Sequence, residues 1–192
     1  MKHSTAADRA WMPWKNGGGK TMQIAVYPEA ADMDGFVWRI SIATVTQAGP
    51  FSAFPDTDRT LAILEGSGLV LAIGEQPPLV LTPESEPLSF AADQPVMAQP
   101  VDGAVTDLNV MVRRGYGRHA MRRLAFAAPS RIVIDLPQAV VVWIRGTGVV
   151  RTDSGTMQPG PFEAAHEAEP TRWTITTDGP GLAYAVTFEP AE

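Results

Sequence analysis

Two stretches 80 residues apart limit what this chain can fold into. "AILEGSGLVL" (Ala62 to Leu71) and "VWIRGTGVVR" (Val142 to Arg151) share the order apolar, charged, Gly, Ser or Thr, Gly, apolar, Val. Gly66 and Gly68 map onto Gly146 and Gly148. A Gly-x-Gly turn after an apolar run signals a hairpin, and its recurrence at a fixed offset signals an internal repeat. Each half also closes on an apolar strand, "DLNVMV" at 107–112 and "AYAVTF" at 183–188. Two copies of a small β-barrel, joined near residues 113–130, account for this pattern.

The rest of the chain agrees with an all-β reading. In "FVWRISIATV", Phe36, Trp38, Ile40 and Ile42 fall on one face of a strand; Val37, Arg39, Ser41 and Ala43 fall on the other. Further strands are predicted at 23–27, 60–64, 68–73, 79–82, 107–112, 131–136, 140–145, 148–152, 172–176 and 183–188. They are separated by turn signals such as "GEQPP", "DSG" and "DGPG". The one helical candidate is Arg118 to Phe126. With 45% hydrophobic residues the chain can bury a real core, and its 17 glycines and 17 prolines are spread along its length, as many short strands require.

Composition also excludes chemistry. There is no cysteine, hence no disulfide, thiolate nucleophile or thiol metal ligand. No secretory core or membrane-length apolar run is present, so the expected location is cytoplasmic, with no membrane partner. A net charge of −6 opposes nucleic-acid binding. The exception is "RRGYGRHAMRR" (113–123), which reads either as a solvated connector or as a patch facing an anion or another subunit. A homodimer through exposed sheet edges is compatible with the sequence.

"WKNGGGKT" (14–21) ends like a phosphate-binding loop, but Trp14 stands where the motif needs its first glycine, and strands flank it. His3, His119 and His166 are scattered, without the paired spacing of a metal site, and no Gly-x-Ser-x-Gly elbow supports a hydrolase triad. No metal or cofactor is expected. What remains is a set of polar residues in strands: Lys15, Asn16 and Thr21 around the glycines, Arg39 with Ser41, Asp58 with Arg59, and Asp107 with Asn109. They are expected either to line a polar cavity or to form exposed faces and internal ion pairs. In the first case Lys15, Arg39 and Arg59 against Asp58 and Asp107 leave one positive charge, suited to a small carboxylate.

"MPWKNGGGKT", "WRISIATVTQAGPFSAFPDTDRTLAILEGSGLVL" and "DLNVMVRRG" resemble, in order and spacing, segments of the HutD/Ves family. The resemblance covers residues 11–116 well and the second half loosely. Asp56 departs from the family's usual Gly in Phe-Pro-Gly-x-Asp-Arg, and Gln23 from a common Glu. The resemblance implies a bicupin, two barrels of double-stranded β-helix type, which we place at 1–115, with the glycine-rich entry segment, and at 116–192, packed on the first. It further implies a metal-independent protein regulating histidine utilisation by binding an intermediate such as urocanate or formiminoglutamate through the nine polar residues named above. A hydrolase or isomerase acting on the same ligands, with Asp107 or Asp58 as general base, is the alternative.

Overall fold

The computed structural model describes residues 1–5, 9–14 and 17–191, and they form strands and connections without a helix. β1 (Lys2–Ser4) opens the chain. There follow β2 (Trp11–Pro13), β3 (Gly19–Tyr27), β4 (Trp38–Val45), β5 (Gly49–Pro50), β6 (Thr57–Glu65), β7 (Leu69–Ile73), β8 (Leu79–Leu81), β9 (Leu88–Ala91), β10 (Val96–Pro100) and β11 (Val105–Arg113). The remainder are β12 (Gly117–Phe126), β13 (Ser130–Leu136), β14 (Gln138–Arg145), β15 (Gly148–Thr152), β16 (Gly155–Met157), β17 (Ala164–Glu167), β18 (Thr171–Thr177) and β19 (Gly181–Pro190). Contacts divide the chain into an N-terminal unit, Ala10–Tyr116, and a C-terminal unit, Gly117–Glu192 with Met1–Arg9.

The N-terminal unit has a six-stranded sheet, β2-β3-β4-β11-β6-β9, and a four-stranded sheet, β5-β10-β7-β8. The C-terminal unit has a five-stranded sheet, β1-β17-β14-β19-β12, and a four-stranded sheet, β13-β18-β15-β16. Setting aside β1, β2 and β3, the two orders are the same path with every strand number raised by eight. The repeated Gly-x-Gly turns join β6 to β7 and β14 to β15, in each case carrying the chain from one sheet to the other. Gly66 and Gly146 hold φ of 100° and 91°. A Cβ at these positions would lie 2.7 Å from the Ala104 carbonyl oxygen and 2.5 Å from that of Pro180. Only glycine tolerates both demands, which is why the pair marks the repeat.

Alternation builds each core. Leu61, Ile63, Leu69, Leu71, Ile73, Val96 and Val105 pack together inside the N-terminal unit. Inside the C-terminal unit, Val141, Trp143, Val150, Trp173, Ile175 and Phe126 do the same.

Several sequence expectations are corrected. Arg118 to Phe126 is not a helix but β12, paired with β19 at all ten positions. Met121, Leu124 and Ala125 mimic a helical spacing, but pairing with a buried neighbour overrides so short a pattern. The basic segment is the end of β11, a turn and the first part of β12, and it runs across the boundary between the two units with Arg114, Arg118 and Arg122 exposed. β1 and Arg9 lie with the C-terminal unit: β1 pairs with β17 and the Arg9 guanidinium donates to the Ser4 and Phe162 carbonyl oxygens. No helix among the described residues is long and apolar enough to cross a membrane.

Asp56, in the turn before β6, has φ of 50°, the left-handed region. Its carbonyl accepts from the Arg114 N–H at 2.8 Å, so the turn is held in place. Asp56→Gly removes the Cβ strain and is expected to leave stability unchanged or raise it by up to about 1 kcal/mol, read as a higher thermal midpoint. Trp173 is fully buried in the C-terminal core, so truncating it leaves a cavity; Trp173→Ala is expected to cost about 3–5 kcal/mol in chemical denaturation.

Candidate functional site

The ladder of the six-stranded sheet decides which polar side chains meet. Met111 on β11 stands opposite Arg39 on β4 and Arg59 on β6. One step along, Asn109 stands opposite Ser41, and one step further Asp107 stands opposite Ala43. Thr21 on β3 pairs with Ala43. Because side chains of one face recur every second residue, these groups share the interior of the N-terminal unit.

They line a cavity of about 450 Å³ together with Trp14, Phe51 and Phe54, and with Met12 and Met33. The two methionines are roughly half exposed. Arg39 is 5% exposed, and its Nε donates to Gln23 Oε1 at 2.9 Å and its Nη1 to Ser41 Oγ at 3.2 Å. Burial pulls its pKa down. Arg59 is 7% exposed, with its guanidinium carbon 5.1, 5.6 and 6.0 Å from the ring centres of Phe51, Phe54 and Phe90. Its Nη2 donates to Met111 Sδ at 3.4 Å, while Nε has no hydrogen-bond partner. Desolvation lowers the Arg59 pKa to about 10, with Asp107 opposing the shift and Arg39 adding to it, so the group is still cationic at neutral pH.

Asp107 is fully buried. Its Oδ1 accepts from Asn109 Nδ2, and its Oδ2 and Asn109 Oδ1 have no partner. Burial pushes the carboxyl up to about 8, although Arg59 draws it back. One cavity thus gathers an unpartnered guanidinium N–H and two unpartnered acceptor oxygens. Each such buried atom costs about 1–3 kcal/mol unless a partner satisfies it.

Of the nine residues singled out from the sequence, Thr21, Arg39, Ser41, Arg59, Asp107 and Asn109 line this cavity. Lys15 and Asn16 lie outside the described residues. Asp58 is a correction. As the chain neighbour of Arg59 it projects to the opposite face, is half exposed, and accepts from Arg114 Nε at 2.9 Å. The cavity charge is therefore two guanidiniums against one carboxyl, among the described residues. Thr21 accepts from Trp14 Nε1 at 2.7 Å, fixing the indole in the cavity wall.

The glycine-rich stretch is the connection of the β2-β3 hairpin. Trp14 N–H donates to the Gly19 carbonyl at 2.9 Å and Gly17 N–H to that of Trp14 at 3.0 Å. A Cβ on Gly19 would sit 2.4 Å from the Thr44 carbonyl oxygen and 3.1 Å from the Trp14 ring. Lys20 lies over the Trp11 ring at 4.6 Å. Sequence reasoning did not single out Trp14, Phe51 or Phe54. The two phenylalanines lie in the irregular segment between β5 and β6, where no periodicity reports direction.

The matching interior of the C-terminal unit is apolar. Register places Ala139, Ala183 and Ala185 where the N-terminal unit has Arg59, Asp107 and Asn109. Trp143, Trp173 and Phe126 pack into that interior. The cavity's donors do not suit a metal either, since two guanidiniums repel a cation and a single carboxyl serves it poorly. Among the described residues no group of three His, Cys, Asp or Glu side chains could hold one.

A family model described as HutD matches residues 6–184. The chain belongs to the HutD family. An uncharacterized 21.2 kDa protein in the hutC 3′ region of Pseudomonas putida is 37% identical over 106 residues, 55% of this chain and 55% of that protein. Protein Ves of Cronobacter sakazakii is 36% identical over 110 residues, 57% of this chain and 59% of that one. The HutD-family chain thus spans somewhat more than half the length of these curated relatives. A conserved protein of unknown function from Pseudomonas aeruginosa PAO1 matches with a TM-score of 0.87 at 25% identity, over 100% of this chain and 99% of that one. HutD from Pseudomonas fluorescens SBW25 matches at 0.74 and 24%, over 97% of both chains. A cupin 2 conserved barrel domain protein from Leptotrichia buccalis matches at 0.55 and 12%, over 88% of both. These last likenesses show the fold, which is all-β and cupin-like.

Burial raises the folded Asp107 carboxyl to about 8, from the ordinary carboxyl value of 3.8. Between these values the folded state binds the extra proton, so stability falls as pH rises across the window. In urea unfolding at pH 5 and pH 8, Asp107→Asn is expected to lose this part of the decline, and parallel pH profiles for the two proteins would contradict it.

Proposed function

We propose that the N-terminal unit captures a small carboxylate, and that both units are cupin barrels of double-stranded β-helix type. The observation that carries the binding reading is the pair of buried arginines facing one cavity, with Arg59 Nε, Asp107 Oδ2 and Asn109 Oδ1 unpartnered. A carboxylate would offset the desolvation of both guanidiniums and take charge-assisted hydrogen bonds from them. An N–H elsewhere on the ligand would meet Asp107 and Asn109. Support for the barrel topology comes from the strand order shared by the two units.

The chemistry fits a carboxylate that also carries a nitrogen donor, as in urocanate with its imidazole or formiminoglutamate with its formimino group. The hutC-region name of the Pseudomonas putida relative supports a place in histidine utilisation. In this reading the HutD-family chain is cytoplasmic and metal-independent, and limits flux by binding an intermediate without converting it.

One observation favours a second reading, a hydrolase or isomerase on the same ligands. Asp107 has its pKa raised to about 8, close to the range that suits a general base or acid. Asp58 does not share this role, being tied to Arg114 on the other face.

Calorimetric titration with urocanate, formiminoglutamate and formate checks the first reading. Submillimolar binding is expected for at least one nitrogen-bearing carboxylate, weakened roughly 10- to 100-fold in Arg59→Ala through the loss of a charged hydrogen bond. As pH rises through about 8, Asp107 gains negative charge and affinity for the carboxylate is expected to fall, but not in Asp107→Asn. Binding absent at millimolar ligand would end this reading; turnover abolished by Asp107→Asn would establish the second.

A further inference from the structure

The basic strand β12 has no part in the cavity, and its position in the fold gives it a different use. Its counterpart in the N-terminal unit, β4, is covered on both edges, by β11 and by β3. In the C-terminal unit β19 covers one edge of β12, and β12 ends the sheet on the other. The place that β3 fills beside β4 has no strand among the described residues beside β12.

β12 is also an unusual edge. Natural edge strands are kept short or broken by bulges and prolines; among the described residues the edges formed by β1, β2, β5, β8, β9 and β16 run two to four residues and that formed by β13 seven. β12 runs ten residues, pairs with β19 without a register shift and contains no proline. Gly117 fixes its start, since a Cβ there would lie 2.0 Å from the Glu189 carbonyl oxygen. Every second residue turns its N–H and C=O away from β19, so the strand offers a fixed row of hydrogen-bonding groups.

The side chains define what this row can accept. Arg118, Ala120 and Arg122 share one face, with both arginines exposed. Across on β19, Glu189 stands opposite Arg118, but Arg122 and Arg123 stand opposite Ala185 and Tyr184. The strand is thus strongly basic in a chain of net charge −6. A second copy pairing antiparallel about Ala120 would set Arg118 against Arg122, and like charges directly opposite are destabilising.

We propose that β12 is a strand-addition site for an extended acidic segment of a partner protein. The segment extends the five-stranded sheet in the position that β3 takes in the other unit. Main-chain hydrogen bonds bind it, and acidic side chains four residues apart, about 14 Å along a strand, meet Arg118 and Arg122. In the N-terminal unit the equivalent neighbour relation already exists: Gln23 on β3 accepts from Arg39 on β4 at 2.9 Å.

The test uses the full chain and a nine-residue Thr/Val peptide with Glu at its third and seventh positions, followed by amide hydrogen exchange at low salt. The peptide is expected to slow exchange of outward amides in β12 and to leave those of β4 unchanged. The same peptide with Lys at both positions is expected to have no effect. Arg118→Glu with Arg122→Glu is expected to weaken the acidic peptide at least about tenfold, by losing two exposed ion pairs and adding two repulsions, and to admit the Lys peptide. Arg118→Gln with Arg122→Gln gives the same direction with a smaller loss, should the reversed protein fail to fold. The proposal is overturned if the acidic peptide leaves β12 exchange unchanged, or if both variants bind it within twofold of the parent. Protection of β12 that rises with protein concentration alone would also overturn it, because a second copy would then occupy the edge.

Discussion

Two guanidiniums and a carboxyl share one cavity, and the rest of the site follows from that constraint. The β4-β11-β6 ladder places Arg39 and Arg59 on either side of Met111, where both are largely buried. A protein interior accepts such charges only when they are paired or hydrogen-bonded. Gln23, Ser41 and Met111 take up some of the donors, and three phenylalanine rings surround Arg59 with their negative faces or edges in reach. Among the described residues Asp107 is the one carboxyl lining this cavity, and burial holds its pKa far above the ordinary carboxylate range. The interior therefore keeps a positive surplus, which the ladder positions.

The internal repeat makes this surplus a matter of substitution, not of architecture. Both units run the same strand path, and both use Gly-x-Gly turns at equivalent sheet crossings. Where one has Arg59, Asp107 and Asn109, the other has three alanines, with Trp143 and Trp173 filling the space. Alanine leaves room for an indole; arginine and aspartate leave a cavity with unpaired atoms. The C-terminal unit so has an apolar core, while its β12 carries arginines exposed at the surface.

The period-2 pattern of β4 and β11 was enough to bring Arg39, Ser41, Asp107 and Asn109 onto one face, because a ladder with no irregularity preserves alternation. The same rule separates Asp58 from Arg59, and grouping adjacent residues as one feature overlooked it. Phe51, Phe54 and Trp14 lie outside regular strands, where direction depends on long-range packing and leaves no local trace. The helical reading of Arg118 to Phe126 failed for a related reason. Its apolar residues Met121, Leu124 and Ala125 fit the helical spacing over so short a stretch, and only the partner strand β19, distant in sequence, overrides it. The departure at Asp56 was visible, but its meaning needed φ: a family glycine there suits a left-handed turn that aspartate occupies with strain.

In the carboxylate-binding reading, the protonation state of Asp107 follows the charge of what enters. A dianion would add negative charge beside Arg39 and Arg59 and so favour the neutral acid, which can donate a hydrogen bond from Oδ2. A monoanion carrying an N–H directed at Asp107 would favour the ionised form, which accepts it. The raised pKa is what leaves both states within reach near neutral pH. A carboxyl at its ordinary value would be fixed as an acceptor, and an asparagine would keep one donor and one acceptor regardless of pH. The burial that makes Asp107 costly to ionise thereby widens the set of carboxylates that one cavity can satisfy.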